Sequence, residues 1–120
     1  MSPRILYIDD ESDLVELAIS FFSDEDLPID ASTTFQGALT LIRRNRYDLI
    51  ISDVRMPSGN GHELLGLVQK EGLFDGKIIL LTGNVDEKND PHKMKNYDLI
   101  LYKPIEFHDL IAKVKQLLSI

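Results

Sequence analysis

Three carboxylates, a hydroxyl and an ammonium stand where four apolar runs stop. Asp9 and Asp10 follow Ile5-Leu6-Tyr7-Ile8, and Asp53 follows Leu49-Ile50-Ile51-Ser52. Thr82 follows Ile78-Ile79-Leu80-Leu81, and Lys103 follows Leu99-Ile100-Leu101-Tyr102. If these runs are neighbouring parallel strands, their carboxyl ends bring all five side chains to one edge of a sheet. Open α/β sheets bind ligands at that edge. Like charges about 4 Å apart cost on the order of 4 kcal/mol per pair at an effective dielectric near 20. The three acids therefore call for a hard cation between them, and Mg²⁺ takes oxygen ligands of this kind. A cation, an exposed carboxylate, a hydroxyl and an ammonium together make a site for a phosphoryl group. Asp53 is the candidate nucleophile, because a carboxylate can accept a phosphoryl group as an acyl phosphate.

Each residue alone has a plainer role. An Asp after a strand caps or turns the chain, paired acids are solvated, and Thr82 is a β-former ending a strand. Lys103 could snorkel. Pro104 after it, however, favours an extended backbone at Lys103 and aims the ammonium along the strand. Tyr102 has core packing as its ordinary role and could also swing between buried and exposed positions. His62, His92 and His108 show no ligand spacing and are expected on the surface.

The elements that must position the site alternate five times between strand-like and helix-like segments. Leu14, Leu17, Ala18, Phe21 and Phe22 mark the inner face of the first helix. A short second strand spans 28–32. Thr33 and Gln36 read as a capping box opening a second helix with Ala38, Leu41 and Ile42 inward. Residues 56–61 are a turn-rich loop before a third helix lined by Leu64, Leu65 and Val68. The last helix, about 106–119, repeats Leu110, Ile111, Val114, Leu117 and Leu118, with acids in its first turn and lysines later, as its dipole prefers. Residues 83–97 are polar and carry Asn89-Asp90-Pro91, which predicts a short or irregular fourth helix. Five βα units with near-continuous apolar strands imply a parallel sheet covered on both faces. The flavodoxin-like order 2-1-3-4-5 then sets the first and third strands, carrying Asp9, Asp10 and Asp53, side by side at the switch point.

The bulk composition fits one domain over 1–120. The 120 residues are 43% apolar and 28% charged, with 13 basic and 20 acidic residues and a net charge of −7. That balance disfavours non-specific nucleic-acid binding and anionic membranes. No cysteine is present, which excludes disulfides, thiol chemistry and cysteine-ligated metals. Met1-Ser2-Pro3-Arg4 leads into a run of only four apolar residues before Asp9, too short for a signal-peptide core, and no apolar run is long enough to span a bilayer. A cytoplasmic protein is the expectation.

In combination these motifs resemble the receiver domains of two-component response regulators, including the single-domain chemotaxis regulator. The motifs are Ile8-Asp9-Asp10-Glu11, Ile51-Ser52-Asp53-Val54-Arg55-Met56-Pro57 followed by Gly61, Leu81-Thr82-Gly83, and Lys103-Pro104. The resemblance covers essentially the whole chain. It implies that Asp53 takes phosphate from the phosphohistidine of a sensor histidine kinase or phosphotransfer protein, or from a small phosphodonor. It implies that Asp9, Asp10, Asp53 and the backbone carbonyl of Arg55 hold Mg²⁺. Thr82 and Lys103 would contact the phosphoryl group, and their shift would couple to Tyr102 and a downstream protein partner or effector domain. The chain departs from the usual pattern at Asn84, after Gly83, and at Asn96-Tyr97. Arg55 and Asn84 are expected to tune the lifetime of the aspartyl phosphate.

Two other classes compete. A haloacid-dehalogenase-like phosphohydrolase also combines an Asp nucleophile, a Thr, a Lys and an acidic pair. Its pair comes late, however, and its second Asp, two residues after the nucleophile, is here Arg55. A pseudo-receiver would dock a partner without phosphorylation, yet all five acceptor-site residues are present. The expectation is a switch that catalyses only its own phosphorylation and dephosphorylation, either as a stand-alone regulator or as part of a longer protein.

Overall fold

The computed structural model describes residues 3–83 and 97–120. In chain order the elements are β1 (Ile5–Ile8), α1 (Ser12–Asp24), β2 (Ile29–Ser32), α2 (Phe35–Arg44) and β3 (Leu49–Asp53). A two-residue pair, β4 (Arg55–Met56) and β5 (Gly59–Asn60), leads into α3 (Gly61–Lys70). Then come β6 (Lys77–Thr82), β7 (Leu99–Tyr102) and α4 (Phe107–Leu118). The main sheet has the order β2-β1-β3-β6-β7, all parallel. This is the expected flavodoxin-like 2-1-3-4-5 arrangement, with β6 and β7 as its fourth and fifth strands. The helix expected between those two strands lies outside the described residues.

Strand alternation divides the core in two. Ile5, Tyr7, Leu49, Ile51, Ile79 and Leu81 face α1 and α4, while Leu6, Ile8, Ile50, Ile78 and Leu80 face α2 and α3. Burial on both faces explains why β1 and β3 read as unbroken apolar runs. Each fully buried Leu or Ile contributes about 1.5–3 kcal/mol. The edge strands β2 and β7 are only partly covered. Among the described residues no helix is long and apolar enough to cross a membrane.

Two local expectations change. The buried stripe of α1 is Val15, Ala18 and Phe22, and Leu17 is 48% exposed. The i, i+3, i+7 spacing centred on Ala18 turns Leu17 away from the sheet. The cap of α2 is Thr34 rather than Thr33: its Oγ1 accepts the Gly37 N–H at 3.0 Å. Ser32 Oγ accepts the Thr34 N–H at 3.2 Å and donates to the Thr34 carbonyl at 2.8 Å. That turn holds the chain out of helix for one more residue.

The loop expected over 56–61 folds as the β4–β5 pair and is clamped to α2. Phe35 N–H donates to Ser58 Oγ at 3.0 Å, and Gly59, at φ 153°, leaves room for the Phe35 ring. The segment immediately after Asp53 is thereby tied to the body of the domain.

Candidate functional site

Strand register brings the chemistry-bearing residues level. Ile8 lies beside Ser52, Asp53 beside Leu81, and Thr82 beside Tyr102. The ladder continues past the strand ends: Asp9 N–H donates to the Ser32 carbonyl at 3.1 Å, Val54 N–H to Leu81 at 2.9 Å, and Lys103 N–H to Thr82 at 2.7 Å. These bonds fix the backbone at each position where a candidate site residue leaves the sheet. The Lys103–Pro104 peptide bond is cis.

Asp9, Asp10 and Asp53 each offer a carboxylate oxygen, and the three atoms lie within 4.8 Å of one another. Asp9 is fully buried, Asp53 is 2% exposed and Asp10 is exposed. Of the three acids only Asp10 supplies an exposed carboxylate; the candidate nucleophile Asp53 is buried. Lys103 Nζ approaches Asp53 Oδ1 at 2.7 Å and Asp9 Oδ2 at 3.5 Å. One ammonium offsets one of three negative charges. Asp9 Oδ2 and Asp53 Oδ2 are buried and, among the described residues, carry no hydrogen bond. Buried anionic oxygens without donors are costly, and an all-oxygen set of this size fits a hard divalent ion.

The electrostatics follow from that crowding. Burial, reinforced by the neighbouring Asp9, pushes the Asp53 carboxyl up to about 7 against the opposing pull of Lys103. Burial works against the Lys103 ammonium, yet its hydrogen bond to Asp53 and the charges of Asp53 and Asp9 outweigh this and raise its pKa.

Asp53 and Lys103 line a cleft of about 160 Å³ together with Arg55, Leu81, Thr82 and Gly83. Thr82 is buried and Arg55 is exposed at the first position of β4. The structure thus brings Asp9, Asp10, Asp53, Arg55, Thr82 and Lys103 to one end of the sheet. Tyr102, at the last position of β7 and 39% exposed, lines a different cleft with Leu101, Ile105 and Leu110. Asn84 lies outside the described residues, as does His92. His62, expected on the surface, is 7% exposed.

Two contributors gave little sign of themselves in the sequence. Buried Ser52 donates its Oγ hydrogen to the Asp53 carbonyl at 2.9 Å. A Cβ on Gly61 would run into that same carbonyl oxygen, so the first turn of α3 can approach only because residue 61 is glycine. Gly61 N–H donates to the Val54 carbonyl at 2.6 Å. This close approach carries His62 inward.

Known proteins resemble this chain in sequence and in fold. A family model, the response regulator receiver domain, matches residues 5–115. Regulatory protein VanRB of Enterococcus faecalis is 30% identical over 119 residues, covering 98% of this chain and 53% of that protein. Response regulator SaeR of Staphylococcus aureus is 26% identical, covering 97% and 50%. The chain thus spans about half the length of these curated relatives. Among solved structures, response regulator TrrA of Thermotoga maritima in complex with Mg(2+)-BeF superimposes with a TM-score of 0.84 at 35% identity, covering 98% of this chain and 99% of that one. A two-component response regulator of Clostridium difficile gives 0.88 at 25% identity, covering 98% and 97%. By sequence and by fold, this chain belongs to the response regulator receiver domain family.

Proposed function

We propose that residues 1–120 act as one phosphoacceptor switch in a two-component phosphorelay, with Asp53 as the acceptor. The donor is the phosphohistidine of a sensor histidine kinase or phosphotransfer protein, or a small phosphodonor. An Asp53 carboxylate oxygen bonds to phosphorus as the donor's P–N or P–O bond breaks, and the donor group leaves with the electron pair. Asp9, Asp10, Asp53 and the Arg55 backbone carbonyl would hold Mg²⁺, which when bound supplies positive charge against the phosphoryl and carboxylate oxygens. Lys103 neutralises charge on the transferred group, and the Thr82 hydroxyl donates to one of its oxygens. The chain catalyses only this transfer to itself and the hydrolysis of the resulting acyl phosphate, in which water takes the phosphoryl group as inorganic phosphate and frees the Asp53 carboxylate.

The new charge biases Tyr102 and the surface around the last two βα units, which a downstream protein partner or effector domain reads. Nucleic acid and membrane are not direct partners, and the cytoplasm is the proposed compartment.

One observation carries this reading: three carboxylate oxygens within 4.8 Å of one another, with Lys103 Nζ 2.7 Å from Asp53. The Mg(2+)-BeF complex of TrrA, a 35% identical relative, supports it. The test is incubation with acetyl phosphate and Mg²⁺ followed by intact-mass measurement. A phosphoryl increment on the parent that vanishes in Asp53→Asn is expected. An increment that survives in that variant, or none on a folded parent, overturns the assignment.

A further inference from the structure

Tyr7 is 1% exposed on β1, two residues before Asp9 and on the same side of the sheet. The cluster around it is otherwise apolar, with Ile5, Val15, Ile51, Phe107 and Leu110 among its members. Phenylalanine would fill that volume equally well, and a buried tyrosine hydroxyl ordinarily finds a polar partner. The polar groups nearby belong to the acid site: Tyr7, Asp9 and Lys103 line one cavity of about 110 Å³, walled by Leu14, Ile105 and Phe107. A neutral tyrosine hydroxyl is a hydrogen-bond donor as well as an acceptor. Asp9 is unevenly served. Its Oδ1 accepts the Glu11 N–H at 2.9 Å, whereas Oδ2 is buried 3.5 Å from the Lys103 ammonium and, among the described residues, accepts no hydrogen bond of good geometry.

We infer that Tyr7 is a positioning residue whose hydroxyl is the neutral donor that steers the Asp9 carboxylate for cation binding, a role that rests on the metal reading above. A neutral donor orients a carboxylate without cancelling its charge, which a second cation in the same place would do. Hydrogen bonds that orient metal-ligating groups change affinity by about 10–100-fold when lost.

The experiment titrates the intact chain with Mg²⁺ by calorimetry, comparing the parent with Tyr7→Phe and Tyr7→Leu, well below each melting temperature. Melting of each is also measured without metal. Tyr7→Phe should melt as the parent does yet bind Mg²⁺ about tenfold more weakly. Tyr7→Leu should show the same weakening together with a lower melting temperature. Affinity in Tyr7→Phe equal to the parent's, or a loss that appears only in Tyr7→Leu alongside its lost stability, overturns the role of Tyr7 alone. A folded parent that takes up no Mg²⁺ overturns the metal reading and this role with it.

Discussion

At the amino edge of the sheet and the helix ends beside it, opposite charges meet: Arg4 and Asp30 at 3.6 Å, Lys77 and Asp98 at 3.8 Å, Arg43 and Glu71 at 3.9 Å. These side chains are about half exposed, and exposed pairs contribute about 0–1 kcal/mol each. At the carboxyl edge, Asp9 and Asp53 are buried beside Asp10, with Lys103 reaching both buried acids. The amino edge nevertheless has the larger hollow, about 410 Å³ lined by Arg43, Arg44, Arg46, Tyr47 and Phe74, against about 160 Å³ beside Asp53. Hollow size and chemical readiness come apart here. Buried like charges are tolerated where a ligand relieves them, so the crowded carboxylates, and not the larger hollow, are the ground for the site proposed above.

The sharpest way to break this contrast is to disable one edge at a time. Asp53→Asn should abolish the acetyl phosphate-dependent mass increment, while Lys77→Ala should leave it intact; equal losses would erase the distinction. Next in size is the response to metal. At low ionic strength, Mg²⁺ at a hundred times its dissociation constant should stabilise the parent by about 2.7 kcal/mol. Asp10→Asn should melt higher than the parent without metal. A parent indifferent to Mg²⁺, with a metal-free Asp10→Asn no more stable, would remove the case for repulsion.

A pH series sharpens the same point. The Asp53 carboxyl, raised by burial from its ordinary 3.8 to about 7, keeps its proton in the folded state at pH values where the unfolded chain has lost it. The stability this contributes is fully present below about pH 4 and is lost as pH rises through about 7. Metal-free Asp53→Asn lacks that loss, so its advantage over the parent should grow between pH 5 and pH 8. A constant difference across thermal melts in that interval would refute the shifted carboxyl. The smallest effects belong to the amino edge. Tyr47→Phe removes the 2.7 Å hydrogen bond to Asp30 and should cost about 1 kcal/mol in urea unfolding, with phosphorylation unaltered.

Most of the architecture was legible because burial on both faces writes itself as apolar runs, and four of the five main strands carry such runs. The acid site was legible for a related reason: polar residues placed at the ends of those runs have only one edge to occupy. What escaped depends on tertiary contact. Leu17 shares the apolar period of α1, and only the sheet's position relative to the helix decides that Val15 goes inward instead. Ser32 displaced the α2 cap through a hydrogen bond that propensity does not encode. Tyr7 reads as an ordinary strand former until Asp9 and Lys103 are seen to share its cavity. His62 looks like a surface histidine until the approach of residue 61 to the Asp53 carbonyl is known.

That approach has a consequence for genetics. Position 61 bears no side chain at all, yet any substitution there must move either the start of α3 or the end of β3. With Asp53 as the acceptor proposed above, a screen for chains that no longer relay a signal should recover changes at Gly61 alongside those at Asp53, the first for lost clearance and the second for a lost carboxylate.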